Sequence, residues 1–414
     1  MSQQIQIVPE SPFEDGIEAG RDIGQKKVQQ DIRSLLKNKH LKTTIGAMSR
    51  QALKSYVMSK LETPPDYNRY PELEDLYPER IDFLRGFADG AGCKLEEAAV
   101  LDYLTYRQEI DNMYYAFQLK REPKRCSGIL LVGPDGVIGG KSSEGDAPPP
   151  PKNYRYRTPK QYTGLKRQKP TLRQLVLKKP RTGYIQGWGA TNEKGVANTA
   201  GVSCSVWLDE PIEDVWPISK FPLLRFACSV EHLAELYKRY TLYVWGRASQ
   251  VWADTSGNGI VVEKSFRRIG IRKLKGHAIW CTEGHFESPE MSAYIKSKRL
   301  EYIDKMGKHL GSEDMQYATD CAVRFTHIGE LCHMPWGRGH EHMRRILTDH
   351  APFPRAVCRH CGPDTAPYDR TVTMGSHMVD ITHNRSYSRS WGAWNRFACQ
   401  APEKVTHFPP RPFE

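Results

Sequence analysis

The sequence predicts an α+β protein, on three observations. Residues 11–125 place apolar side chains at helical spacing. From Cys126 onward, short apolar runs bounded by turn signals take over. Helix-periodic segments then return between those runs. Runs of strands flanked by runs of helices bury their apolar faces as sheets covered by helices. The chain has 414 residues, 39% hydrophobic and 26% charged, which supplies a large core and excludes a disordered or collagen-like chain. The organisation is a mostly helical segment 1–125, a core 126–414, and a basic proline-rich insertion 147–183 within that core.

The amino-terminal segment opens on Ser11-Pro12-Phe13-Glu14, a capping box with proline at the first helical position. Ile17, Ile23, Val28, Ile32 and Leu35 continue at helical spacing. Further helices are expected over 47–61, 78–89 and 95–113, the last two separated by Gly90-Ala91-Gly92. At Cys126 the texture changes to CSGILLV, the turn Gly133-Pro134-Asp135-Gly136, and a second strand from Val137. If Gly133 and Gly136 close the turn, paired positions sum to 269. Cys126 then lies opposite Ser143, with Glu144 as its diagonal neighbour. Strands are expected over 195–208, 242–253, 259–263, 277–282, 371–382 and 386–393. Helices are expected over 229–240, 288–310, 312–326 and 339–349.

The formal net charge of +12 has one source. Between Ala147 and Gly183 lie eleven basic residues, no acid and a Pro148–Pro151 run, so the rest of the chain is close to neutral. Such a segment reads as extended, with only TLRQLVL (171–177) able to pack locally. Its tyrosines and cations suit a phosphate backbone, but a flap near an anionic substrate or a solvated loop fits better, and nucleic acid is not the expected partner. No apolar run spans a bilayer, and the first residues lack a secretory pattern, so a cytoplasmic location and no membrane partner are expected. Cysteines set in apolar runs agree with a reducing compartment.

Several chemistries fail on spacing. Gly140-Lys141-Ser142 lacks the earlier glycine of a phosphate loop, and there is no G-x-S-x-G, H-E-x-x-H or G-x-G-x-x-G. Cys358-Arg359-His360-Cys361 has C-x-x-C spacing, and Cys332-His333 lies upstream. The second half is not a paired C-x-x-C, so packed thiols are the expectation, with no metal and no cofactor.

The order of motifs is more specific. Gly86 to Glu97 (GFADGAGCKLEE) precedes Arg125-Cys126-Ser127, and Ser143-Glu144 ends the hairpin. Then follow GATNEKG (189–195), ADTSG (253–257) with VVE (261–263), TEGHFESPE (282–290) and ILTDHAPFPRAVCRH (346–360). Together these resemble the isopenicillin N acyltransferase-like family of N-terminal nucleophile (Ntn) cysteine hydrolases and acyltransferases, over almost the whole chain.

That resemblance implies a four-layer αββα sandwich and self-cleavage of the Arg125–Cys126 bond, leaving 1–125 and 126–414 as two associated chains. Cys126 is then nucleophile and, through its new α-amine, base. The implied catalytic residues are Cys126, Glu144 and Arg359. Glu144 would orient the ammonium, and Arg359 would hold an anionic substrate group or the Glu144 carboxylate. Asn192, Asn198, Gly284 and His285 are the substrate and oxyanion candidates. Two positions depart from the family pattern: Gly284 stands where an asparagine is expected, and Asn198 lies three residues before the position of a second. The expected substrate is a small-molecule linear amide or an acyl-CoA-like donor, attacked to give a Cys126 thioester. A catalytically impaired homologue retained for binding is the alternative.

Overall fold

The computed structural model describes residues 12–37, 48–118, 126–146, 174–175, 190–192, 194–203, 223–224, 226–241, 248–265, 267–283, 285–306, 312–336, 339–352, 356–360, 371–390, 399 and 403–407. Arg125 of the expected cleavage site, the oxyanion candidate Gly284 and most of the insertion 147–183 lie outside them.

Five helices lead: α1 (Pro12–Arg21), α2 (Gly24–Leu36), α3 (Arg50–Glu62), α4 (Leu73–Ala91) and α5 (Leu95–Gln118). The stretch read as one helix from Ile17 to Leu35 is broken between α1 and α2. Helix α4 begins before Pro78, which lies in its second turn and leaves the Glu74 carbonyl without its usual intrahelical donor. It ends at Gly92 in the left-handed region (φ 65°), as the glycine break predicts. Val28, Ile32, Leu53, Val57, Phe83, Phe87, Ala99 and Leu104 close one helical core. Helices α1 and α4 cross backbone to backbone. A Cβ on Gly86 would stand 1.9 Å from the Phe13 carbonyl oxygen, and one on Gly16 would stand 2.1 Å from that of Phe83. Only glycine permits that approach.

Two antiparallel six-stranded sheets follow. The strands are β1 (Ser127–Gly133), β2 (Gly136–Asp146), β3 (Gln174–Leu175), β4 (Ala190–Asn192), β5 (Ala197–Ser203), β6 (Ala248–Ala253), β7 (Gly259–Lys264), β8 (Ile269–Lys273), β9 (Ala278–Thr282), β10 (Thr371–Asp380), β11 (Arg385–Ser390) and β12 (Lys404–His407). One sheet runs β12-β11-β10-β2-β1-β9 and the other β3-β4-β5-β6-β7-β8. The hairpin has the anticipated register, from Ser127 opposite Ser142 to Gly133 opposite Gly136. Strands β8 (IGIRK) and β12 (KVTH) are short and carry charged residues, and neither is among the strands expected from the sequence. Within the insertion, Gln174 and Leu175 of the TLRQLVL segment pair with β4.

The remaining helices are α6 (Val230–Arg239), α7 (Pro289–Met306), α8 (Ser312–Cys332) and α9 (His340–Leu347). Leu130, Val137 and Cys281 of one sheet pack against Ala200, Val251 and Val261 of the other, so the central core lies between the sheets. Ile328, Met343 and Ile346 of α8 and α9 cover the outer side of the first sheet through Ile129, Leu131 and Ile138. Leu233 and Tyr237 of α6 cover the second through Trp252, Ile260 and Val262. Tyr70, Leu73 and Leu76 from the amino-terminal segment enter that same cluster. In β2, consecutive glycines serve opposite faces. A Cβ on Gly139 would meet Thr199 Cβ at 2.0 Å, and one on Gly140 would meet Met343 Sδ at 2.3 Å. The hairpin that leads from Cys126 is thus pressed between the partner sheet and α9.

Candidate active site

Cys126 stands one residue before β1, 6% exposed, with its side chain in the core between the sheets. Its backbone N–H and carbonyl are both held by one residue. The Cys126 N–H donates to Glu283 Oε2 at 3.3 Å, and the Glu283 N–H donates to the Cys126 carbonyl oxygen at 3.0 Å. Glu283 follows β9, which pairs with β1 through Thr282 opposite Ser127. Strand pairing therefore carries a buried carboxylate to the backbone nitrogen of Cys126.

The carboxylate expected at that nitrogen was that of Glu144. The structure directs it elsewhere: Arg324 Nη1 of α8 donates to both Glu144 oxygens, each at 2.9 Å, with both side chains almost fully buried. Glu144 still acts on Cys126 in two opposed ways, through the charge of its carboxylate and through its backbone N–H at the thiol. Burial pushes the Cys126 thiol above its ordinary range. Lys141 pulls it down, Glu283 and Glu144 push it further up, and the Glu144 N–H opposes them. For Arg324, burial works against the cation, but Glu144 outweighs it and the guanidinium is held above its ordinary value. Lys141 is itself 3% exposed, and its hairpin partner Gly128 is two residues from Cys126.

Arg359 joins the site from the loop before β10. Its N–H donates to Thr373 Oγ1 at 2.8 Å, and the Thr373 N–H donates back to its carbonyl at 3.0 Å. Thr373 is the β10 partner of Glu144, so Arg359 is stitched beside the Glu144–Arg324 pair. The alternative role of holding Glu144 belongs to Arg324 in the described contacts. Buried cations and carboxylates thus surround the start of β1: Lys141, Arg324 and Arg359 with Glu144 and Glu283.

The asparagine candidates resolve differently. Asn192 builds the β4–β5 turn: its Nδ2 donates to the Leu224 and Ala227 carbonyls, and its Oδ1 accepts from the Lys194 and Val196 N–H groups. A side chain engaged at both ends is a turn anchor and not an oxyanion donor. Asn198 donates to the Ala200 and Val251 carbonyls across the bulge between β5 and β6. His285 pairs with Glu287 and lies against Phe325. Two further motif residues are structural. Asp254 accepts the Ser256 and Asn258 N–H groups in the β6–β7 turn. Glu263, fully buried, accepts from Ser288 and Glu287 at the start of α7 and from Arg272.

Glu283 and Arg324 escape sequence reasoning. Glu283 stands in the TEGHFESPE motif, where the resemblance draws attention to Gly284 and His285 and not to it. Arg324 does leave a signal, because it falls in phase with Cys321 and Ile328 on the apolar stripe of α8. An arginine inside such a stripe calls for a buried acid.

No family model matches the chain, and no curated protein matches it in sequence. Solved structures do. A mutant conjugated bile acid hydrolase from Clostridium perfringens matches at 13% identity and a TM-score of 0.34, over 69% of this chain and 98% of that one. A penicillin V acylase from Agrobacterium tumefaciens matches at 12% identity and a TM-score of 0.35, over 64% of this chain and 83% of that one. No helix among the described residues is long and apolar enough to cross a membrane.

Proposed function

We propose that this protein is a self-processing amide hydrolase or N-acyltransferase of the N-terminal nucleophile type, its helices and sheets being the layers of an αββα sandwich. The supporting observation is the grip of Glu283 on the Cys126 peptide nitrogen, beside a buried thiol and Lys141. In processing, Cys126 Sγ attacks the Arg125 carbonyl carbon. The C–N bond breaks, the acyl group passes to sulfur as a thioester, and the nitrogen takes the thiol proton. Water then hydrolyses the thioester, which frees the thiol and gives residues 1–125 a carboxylate end.

The released α-amine has an ordinary pKa of about 7.7–8.0, so near neutrality it can take the thiol proton and return it to a leaving amine. Glu283, which holds the amide nitrogen before cleavage, would pair with the ammonium after it. Lys141 favours the thiolate, and the Glu144–Arg324 pair fixes the strand whose N–H meets the sulfur. Arg359 supplies a cation for an anionic group of the substrate. The substrate is a linear amide, or an acyl-CoA-like donor drawn by the basic segment 147–183, with water or an amine as acceptor.

Intact-mass measurement of purified protein tests this. Wild type should give fragments 1–125 and 126–414, and Cys126→Ala only the full chain. Uncut wild type, with amide turnover unchanged in Cys126→Ala, would overturn the proposal. One observation favours the alternative of an impaired homologue: the Asn198 amide is committed to two backbone carbonyls. Uncut wild type with no turnover of amides or thioesters would select that alternative.

A further inference from the structure

Away from Cys126, the described residues hold one group of side chains suited to a metal ion: His350, Cys358, His360 and Cys399. We infer that these four residues form a structural zinc site that clamps the Arg359 segment to the first sheet. One ligand atom from each lies within 4.8 Å of all the others. His360 Nε2 is 3.6 Å from Cys358 Sγ and 3.3 Å from Cys399 Sγ, and the His350 and His360 rings are 4.5 Å apart. Tetrahedral zinc, with bonds of about 2.3 Å to sulfur and 2.0–2.1 Å to nitrogen, spaces its ligand atoms roughly 3.3–3.8 Å apart. The observed separations need only a small closure.

The donor chemistry narrows the ion. Two thiolates and two imidazoles exclude magnesium and calcium, which take oxygen ligands, and fit Cys2His2 zinc. Four protein ligands leave no open position for water, which marks a structural site. Binding balances as Zn²⁺ displacing two thiol protons, with both imidazoles neutral. The set differs from the pattern the sequence offered. Cys332 is buried among apolar residues, and His333 Nδ1 contacts the Gly329 carbonyl, so neither belongs to it. Cys361 lies outside the described residues. Cys399, 39 residues beyond His360, supplies the fourth ligand. This site replaces the expectation of no metal.

Its place in the fold gives its role. The Cys358 N–H donates to the Asp349 carbonyl at 2.9 Å, which closes the loop carrying three of the ligands. Cys399 is tied to β11 by Arg389 Nη1, which donates to its carbonyl at 3.0 Å. Arg359 sits between two ligands, with its backbone bonded to Thr373. The ion would therefore cross-link the loop that positions Arg359 to the strands beside Glu144.

The test is elemental analysis of the full chain, purified without a histidine tag or chelator from zinc-containing medium. A single zinc per chain is expected in wild type, Cys332→Ala and Cys361→Ser, and loss of zinc in His350→Ala and Cys399→Ser. Cys399→His, which keeps a donor, should retain the ion and separates ligand loss from misfolding. Replacement by cobalt(II) should give tetrahedral ligand-field bands with thiolate charge transfer, absent in Cys399→Ser. Folded wild type without zinc, a Cys358–Cys399 disulfide in peptide mapping, or undiminished zinc in both ligand-removal variants would overturn the inference.

Discussion

Removing Arg324 should cost more stability than removing the whole ion pair. Both Glu144 oxygens lie 2.9 Å from Arg324 Nη1, and the two side chains are 0% and 2% exposed. Arg324→Met leaves a carboxylate in the protein interior, and Glu144→Met leaves a guanidinium there. Stranding one partner of a buried pair costs about 3–5 kcal/mol, whereas replacing both by packed apolar groups is often neutral or stabilising. A double-mutant cycle in a Cys126→Ala background, where every variant is one chain, isolates the coupling. Each single change should lower Tm by roughly 3–6 °C, because an unfolding entropy of about 2.1 cal/mol/K per residue makes 1 kcal/mol worth roughly 1 °C in a chain of 414 residues. The double variant should recover most of that loss. Losses that add to within about 0.5 kcal/mol would refute the argument, because independent sites behave that way.

Three further outcomes follow from the packing and the charges. Gly86→Ala sets a Cβ against the Phe13 carbonyl and should destabilise by about 1–3 kcal/mol in thermal melts, leaving Cys126 chemistry unchanged. Asn192→Ala removes the anchor of the β4–β5 turn; Tm should fall, each polar group left unpaired costing about 1–3 kcal/mol, while kcat of the surviving fold holds. Burial pushes the Cys281 and Cys332 thiols up to about 12, and raises that of Cys126 in the uncut chain. Thiolate is the reactive form, so alkylation followed by peptide mapping at pH 8 should mark exposed Cys228 early and Cys281 and Cys332 late, the rates of those two climbing as pH rises.

The sequence made the hairpin legible because its glycine turn sets the count, and the pairing of Ser127 with Ser142 obeys it. It placed Cys126 at the switch from helix to strand for the same local reason. It did not offer Glu283 at the Cys126 nitrogen, because pairing within β1–β2 cannot report what β9 delivers from 157 residues away. Arg324, 180 residues from Glu144, is another such case. Asn192, Asp254 and Glu263 show why the motifs were visible at all: they anchor turns and a helix start, tasks that tolerate few substitutes. The zinc ligands were half legible, since Cys358 and His360 are neighbours in sequence while Cys399 meets them only through the path of β10 and β11.

The cluster that Tyr70, Leu73 and Leu76 share with α6 and β6–β7 has a bearing on what processing would look like from outside. These side chains belong to the segment before Cys126, yet they are interior to the part after it. Severing one peptide bond at 125–126 leaves that burial intact, so the two pieces should migrate as one particle in gel filtration and part only in denaturant. A nicked and an unnicked molecule would share one hydrodynamic radius, and a population half-matured would pass unnoticed in any measurement that keeps the protein folded.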